Sequence, residues 1–271
     1  MKNIFSEKFY GIRKNNRLCS KKIEKLVSQN SDPVSVFVYK KIDSTNSFAK
    51  KLLKSGLKTP AIITADTQTQ GRGRLGRSFY SPKKTGIYMS VIVFPDIQIY
   101  NAVSITTAAA VAVVRAIKHF APLDLKIKWV NDIFLNNRKV CGILTETSSS
   151  GLDDTNGIII GVGINLTTTS FPQDIAHSAT SLNCDLIERN QLVAQIAKEL
   201  FGVCKDLSEH TYMDEYRKYS LVLGKEIEYS KDGKKTTAKA IGVEDDGGLV
   251  VEHHDKTKSV LTSGEISVSL K

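Results

Sequence analysis

Three arginines alternate with three glycines in the stretch TQTQGRGRLGRSFYSP, residues 67–82: Arg72, Arg74 and Arg77 stand beside Gly71, Gly73 and Gly76. The glycine spacing is that of a dinucleotide-binding turn, whose last glycine must open a helix so that free backbone N–H groups hold a pyrophosphate. Here Ser78-Phe79-Tyr80-Ser81-Pro82 follows instead, and no Gly-Lys-Ser/Thr completes a phosphate loop. What remains is a flexible loop in which small residues let the backbone approach a ligand while guanidinium groups supply fixed, bidentate positive charge. That chemistry suits a polyphosphate or a carboxylate, and a basic surface loop is the plainer alternative.

The elements around the loop must position it. Residues 61–66 ahead of it are apolar and predict a strand, as do residues 36–40. DSTNSFAKKLLKSG predicts a helix with Ser44 or Thr45 as cap, Phe48, Leu52 and Leu53 as its apolar stripe, and Gly56 as its end. Ser44, Thr45 and Asn46 are more polar groups than one cap needs, so part of the set is expected to face a ligand. Residues 86–94 predict a buried strand, and 103–120 a long Ala/Val-rich helix packed on a sheet.

The block LKIKWVNDIFLNNRKVCGILTET predicts strands at 126–129 with 133–135 and at 139–147, around a turn at Asn136-Asn137-Arg138. Strict alternation would place Lys139, Cys141 and Ile143 on one face and Val140, Gly142 and Leu144 on the other. Gly142 leaves room beside the strand. Asn131 and Asp132 sit at a break between strands, where a metal or hydroxyl contact is one reading and a polar turn the other. NGIIIGVGINL adds Gly157, Gly161 and Gly163 to a buried apolar run, which points to a concave, glycine-lined sheet face.

Composition sets bounds. With 271 residues and 41% hydrophobic content the chain can build one large and one small domain. The net charge of +10 invites nucleic acid as a partner, but ten of the Lys/Arg fall in residues 1–41 against three acids there, and the rest are spread thinly. No RNP, zinc-finger or basic-zipper pattern is present, so nucleic-acid binding stands only as a rival class and no specific DNA binding is expected. The longest apolar run, residues 108–114, is far short of a membrane span, and the N-terminus lacks the apolar core of a signal peptide. A cytoplasmic location and no membrane partner follow as expectations. Cys19, Cys141, Cys184 and Cys204 form no C-x-x-C pair and are expected to be reduced, mostly buried thiols.

Taken in order and at these intervals, DSTN, TQTQGRGRLGR, KWVND, RKVCGIL and IGVGINL resemble the biotin protein ligase family, which attaches biotin to a lysine of carboxylase carrier domains. The likeness runs from about residue 36, through HSATSL at 177–182, to the end of the chain. It implies an α+β catalytic domain of the class II aminoacyl-tRNA synthetase and biotin ligase kind, a mixed sheet flanked by helices, followed by a small SH3-like barrel. It implies biotin and ATP as substrates, Mg²⁺ as cofactor, biotinyl-AMP as intermediate, and a biotin carboxyl carrier domain as partner. Ser44, Thr45, Asn46 and Gln68 match positions around the biotin ureido ring, and Gly142 and Gly163 the sheet against which biotin lies. Gly71, Arg72, Gly73 and Arg74 match the loop over the biotin carboxylate and the phosphates. Lys139 matches the lysine that hydrogen-bonds the carboxylate and then the acyl phosphate. Arg74, Arg77, Trp129, Asn131 and Asn165 match nucleotide positions, and Asn131 with Asp132 the pair implicated in Mg²⁺ and acceptor-lysine handling. Lys139, Arg72, Arg74 and Asp132 form the implied catalytic set.

Two departures stand out. Val130 replaces the proline of the family's Lys-Trp-Pro-Asn-Asp, and Ser269 stands where an arginine commonly reaches the nucleotide, with Lys271 as a weak substitute. The expected organisation is a basic segment at 1–35, a biotin- and ATP-binding domain at 36–220 and a barrel at 221–271, with turns at Asp232-Gly233, Asp246-Gly247-Gly248 and Ser263-Gly264. NQLVAQIAKELFGVCKDL predicts a core helix, and adjacent His253 and His254 would point apart, which disfavours a shared metal. Residues 13–31 hold too few apolar positions for a helical bundle, and some thirty-five residues are too short for the winged helix of repressor relatives, so a monofunctional ligase is expected. Family members often dimerise through the catalytic sheet, which makes a homodimer a further expectation. Two alternatives stay open: a lipoate ligase, whose glycine triplet and His-Asp pair are absent here, and a protein that binds biotinyl-AMP without transferring it.

Overall fold

The computed structural model describes residues 16–28, 34–95, 102–148, 157–205, 207–231, 234–262 and 266–268. In chain order the elements of the larger unit are α1 (Ser20–Val27), β1 (Ser35–Tyr39), α2 (Thr45–Lys54), β2 (Ala61–Ala65), β3 (Gly86–Val93), α3 (Ala102–Phe120), β4 (Leu125–Lys128), β5 (Asp132–Leu135), β6 (Arg138–Ser148), β7 (Gly157–Asn165), α4 (Arg189–Lys205) and α5 (Met213–Tyr219). The seven strands form one sheet in the order β1-β2-β3-β7-β6-β5-β4. Only β1 and β2 run parallel, because α2 carries the chain back between them; the other neighbours are antiparallel. This is the mixed sheet expected from the sequence.

β2 and β3 are buried along their whole length: Ala49 and Leu53 of α2 pack with Ala61, Ile63 and Ile92, while Ile62, Ile87, Met89 and Val91 belong to the main core. α3 carries apolar residues around most of its circumference and packs on α4 and β6. By length and composition α3 could cross a membrane, but it is buried within the protein. α1 lays Ile23 and Val27 against α4 and β1, with Leu18 beside them. Part of the segment set apart from the core in the sequence is thereby built into it. The same junction holds Asn16 and Cys19 by hydrogen bonds to Arg189 and Asn190, and Lys22 by an ion pair to Glu188. At the start of α4, Arg189 is buried and pairs with Asp66 at 2.6 Å, while its Nε donates to Gly86 O.

The smaller unit is an antiparallel sheet of β8 (Glu226–Lys231), β9 (Lys234–Val243), β10 (Leu249–Glu252), β11 (Lys258–Leu261) and β12 (Ile266–Val268), in the order β11-β10-β9-β8-β12, the SH3-like domain expected. Val250 pairs with Gly242 but Val251 with Ala240, so Ile241 is an extra residue that bulges and bends β9. The turn at Asp246-Gly247-Gly248 forms as the sequence suggests, with Gly247 at φ +88° and Asp246 Oδ1 accepting from Gly248 N at 2.8 Å. It docks on the larger unit: Trp129 Nε1 donates to Gly247 O at 2.9 Å and Ser104 Oγ to Asp246 O at 2.8 Å. The turns at 232–233 and 263–264, residues 1–15, Ser269 and Lys271 lie outside the described residues.

Candidate active site

The first wall of the site is the start of α2. Ser44 caps the helix, its hydroxyl accepting from Ser47 N, so one of the three polar residues is accounted for by capping. Thr45 and Asn46 do something else. Gln68 Oε1 accepts from Thr45 N at 2.8 Å and from Thr45 Oγ1 at 3.1 Å, and Gln68 Nε2 donates to Ser81 Oγ at 3.1 Å. Ser90, buried on β3, lies 2.8 Å from Thr45 Oγ1 and 2.6 Å from Asn46 Oδ1. Asn46 Nδ2 donates to Glu146 Oε2 at 2.9 Å and to Leu144 O at 3.3 Å. A hydroxyl and an amide sealed inside a sheet need such partners, and meeting the need fixes the whole wall.

The arginine loop folds around a short turn. This 3₁₀ turn, at Arg74–Gly76, places Leu75 at φ 52° and Gly76 at φ 76°. Gly73 N donates to Arg77 O at 2.7 Å and Phe79 N to Gly71 O at 2.9 Å, so the loop folds back on itself as a hairpin. Gly71 is needed for that crossing: a Cβ there would collide with the carbonyl of Phe79. Gly71 does not border the cavity. The hairpin delivers Phe79 onto the sheet, where a Cβ at Gly163 would stand 2.6 Å from its ring and one at Gly142 3.5 Å.

The glycines of β7 therefore divide. Gly161 makes room for the Asn46 amide and Gly163 for Phe79, while Gly157 packs against Leu53 of α2 at the far end of the strand, away from the site.

On β6 the strict alternation predicted from the sequence fails. Ile133 of β5 pairs with Cys141 but Phe134 pairs with Lys139, so Val140 is an extra residue with no partner on β5, a β-bulge. Val140 and Cys141 are both buried in the core, and Lys139 and Gly142 come to the same side, Lys139 Cε lying 3.1 Å from a Cβ placed on Gly142. Burial pushes the Cys141 thiol well above its ordinary range. Lys139 is fixed through its backbone, N donating to Ser178 O at 2.8 Å and O accepting from Thr180 N at 2.9 Å, and through its ammonium, 2.7 Å from Asp132 Oδ1. Beside it, Arg74 Nη1 donates to Asn131 Oδ1 at 3.0 Å, and Asn131 Nδ2 to Ile143 O at 3.0 Å.

These walls enclose one cavity of about 380 Å³, bordered by every site candidate read from the sequence except Gly71. Not all of them offer free chemistry to it. The Trp129 N–H is spent on the barrel turn, while Asn165 keeps a buried Oδ1 without a hydrogen-bond partner among the described residues, its Nδ2 donating to Thr180 O. Phe79, Lys128 and Phe134 also border the cavity and were not singled out in the sequence. Glu146, likewise missed, joins Asn46, Lys50 and Arg72. Its burial alone would raise the carboxyl; hydrogen bonds from Lys50 and Asn46 and the charges of Lys50 and Arg72 outweigh that and hold it below the usual carboxylate range. Among the described residues no group of three or more His, Cys, Asp or Glu could cage a metal, and His253 and His254 form none. Of the Asn131–Asp132 pair, the Asn131 oxygen already accepts from Arg74 and Asp132 Oδ1 already pairs with Lys139.

The arrangement places cations around a glycine-floored slot, which suits an anionic ligand with an apolar body. Comparison with known proteins adds to this. Residues 38–165 match the Biotin/lipoate A/B protein ligase family, and residues 222–269 the Biotin protein ligase C terminal domain. The bifunctional ligase/repressor BirA of Bacillus spizizenii is 33% identical over 230 residues, covering 82% of this chain and 70% of its own. The biotin--[acetyl-CoA-carboxylase] ligase of Mycobacterium tuberculosis is 26% identical, with 90% and 92% covered. The structure of the biotin protein ligase from Aquifex aeolicus in complex with biotin and ATP superimposes with a TM-score of 0.74 at 26% identity, over 86% of this chain and 98% of that one.

Proposed function

The chain belongs to the biotin protein ligase family, and from that membership we propose how its cavity works: it joins biotin to ATP and passes the biotinyl group to a lysine of a carboxyl carrier domain. The observation that carries the reading is the convergence of Arg72, Arg74 and Lys139 on one slot floored by Gly142 and Gly163.

In the first step a biotin carboxylate oxygen attacks the α-phosphorus of ATP, the bond to the β-phosphate oxygen breaks, and pyrophosphate leaves. One anion must approach another, so the protein has to supply positive charge where negative charge builds up. Arg74 on the loop and Lys139 on β6 meet that need, while Arg72 on the same loop binds the biotin carboxylate before the reaction starts. Asp132, paired with Lys139, orients its ammonium, and Asn131 does the same for Arg74. Biotin's fused rings lie in the slot whose wall is the Thr45–Gln68–Ser90 network. In the second step the acceptor amine attacks the acyl carbon of biotinyl-AMP and AMP departs. Closure of the arginine loop over the adenylate keeps water out.

Mg²⁺ fits this site as an ion carried in by the nucleotide, which typically needs only one or two protein carboxylates, and Asp132 would be the one to receive it. When bound it would neutralise phosphate charge. A cytoplasmic site of action belongs to the proposal, supported by the buried, unpaired thiols of Cys141 and Cys204.

The test is exchange of labelled pyrophosphate into ATP, with biotin and with lipoate, followed by transfer to a carrier domain. Biotin-dependent exchange and transfer are expected. Exchange with lipoate alone would overturn the substrate, and exchange without transfer would make the protein an adenylate binder.

A further inference from the structure

Glu146 has no part in the chemistry above, yet it joins three elements that do. It follows Gly142 and Leu144 at alternate positions of β6, so all three project toward the cavity side of the sheet. Its Oε1 accepts from Lys50 Nζ at 2.6 Å and lies 3.2 Å from Arg72 Nη2, and its Oε2 accepts from Asn46 Nδ2 at 2.9 Å. Asn46 and Lys50 are four residues apart on α2 and present one helix face to it. The carboxylate is mostly buried, whereas the Arg72 side chain is 43% exposed. An arginine that open to water has many rotamers, and this contact selects one of them.

The charge count matters as much as the geometry. One carboxylate stands between two cations, so the cluster keeps a positive charge that an arriving anion can use. Had Glu146 faced Arg72 alone, the pair would be neutral and the guanidinium largely cancelled. Had it been absent, Lys50 and Arg72 would repel and Asn46 would lose a partner for its amide.

On the reading of the cavity as the biotin and ATP site, we propose that Glu146 is a positioning residue: through its contacts with Lys50 and Asn46 it holds Arg72 over the slot before the substrate carboxylate arrives. Lys50 is the counterweight that lets it do so without neutralising the arginine.

The experiment is a double-mutant cycle on pyrophosphate exchange, measuring KM for biotin and kcat in wild type, Glu146→Gln, Arg72→Ala and the pair. Because Arg72 would act in ground-state binding, Glu146→Gln is expected to raise KM about tenfold and leave kcat within about twofold. In the Arg72→Ala background the same change should add little. An undiminished effect of Glu146→Gln without Arg72, or a fall in kcat with KM unmoved, would overturn the proposal. If wild type shows no biotin-dependent exchange, the functional reading fails first, and the two failures are told apart. Lys50→Met covers the case in which Glu146→Gln does not fold: it leaves the Arg72–Glu146 pair neutral and should raise KM about threefold or more at constant kcat. An unchanged KM there would also sink the idea.

Discussion

The ring of Phe79 rests on the bare backbone of Gly163, so near that a methyl group at that position would stand 2.6 Å from the ring. The contact joins the arginine loop to the middle of β7, and it makes the floor of the slot a product of two segments more than eighty residues apart. Phe79 is therefore the side chain that sets the depth of the slot.

Gly163→Ala is expected to push the ring into the slot. Overpacking of this kind costs about 1–3 kcal/mol, enough to raise KM for biotin roughly tenfold while the protein still folds. Adding Phe79→Ala should recover part of the loss. Steady-state pyrophosphate exchange checks both; a double variant worse than Gly163→Ala alone would show that the contact does not set the slot.

Lys139→Ala removes a charge-assisted contact to the developing acyl phosphate, worth roughly 1.5–3 kcal/mol, so adenylation should slow by about 10- to 100-fold. Single-turnover formation of the adenylate isolates that step. A variant that forms it at the wild-type rate would remove Lys139 from the first reaction.

Arg189 and Asp66 pair inside the protein, at the junction of α4 with β2. Arg189→Leu would leave the Asp66 carboxylate buried and uncompensated, a change that typically destabilises by about 3–5 kcal/mol. Urea denaturation should show it as a fall in the midpoint. Asp66→Asn/Arg189→Leu together should lose less than Arg189→Leu alone.

Glu146 predicts a pH signature. Its carboxyl is held below the ordinary value of 4.5, so the folded form takes up a proton less readily than the unfolded chain. The stabilisation is thus complete above that ordinary value and is lost as pH falls through the depressed one. The stability difference between wild type and Glu146→Gln should stay level from neutral pH to about pH 5 and shrink below about pH 4.5. Urea titrations at several pH values measure it, and a difference that is still level at about pH 3 would contradict the ion-pair geometry.

Much of this site could be read before the fold was known, and the parts that could not share a cause. The α2 cap at Ser44 and the Asn136-Asn137 turn, with φ of 50° and 59°, are set by local chemistry that the residues announce. The arginines, Lys139 and Gly142 were legible through their spacing and the family likeness. Three features were not. The bulge at Val140 is a matter of register between β5 and β6, and a strand seen alone reads as strict alternation. Phe79 was not singled out because Gly163, its counterpart, lies far along the chain. Glu146 meets Asn46 across a sequence separation of 100, and an isolated glutamate on a strand carries no signal of the company it keeps. Gly157, grouped with the site glycines by pattern, turned out to serve the packing of Leu53.

The docking of the barrel turn on Trp129 and Ser104 has a bearing on how the chain can be divided. Trp129 is two residues from Asn131 and three from Asp132, so the backbone that presents both to the slot is braced by a carbonyl of the C-terminal unit. The two units look severable on paper, each with its own sheet. A cut between them would nevertheless leave the larger fragment with an unsupported catalytic loop and an exposed indole, and supplying the barrel in trans should restore what the cut removed.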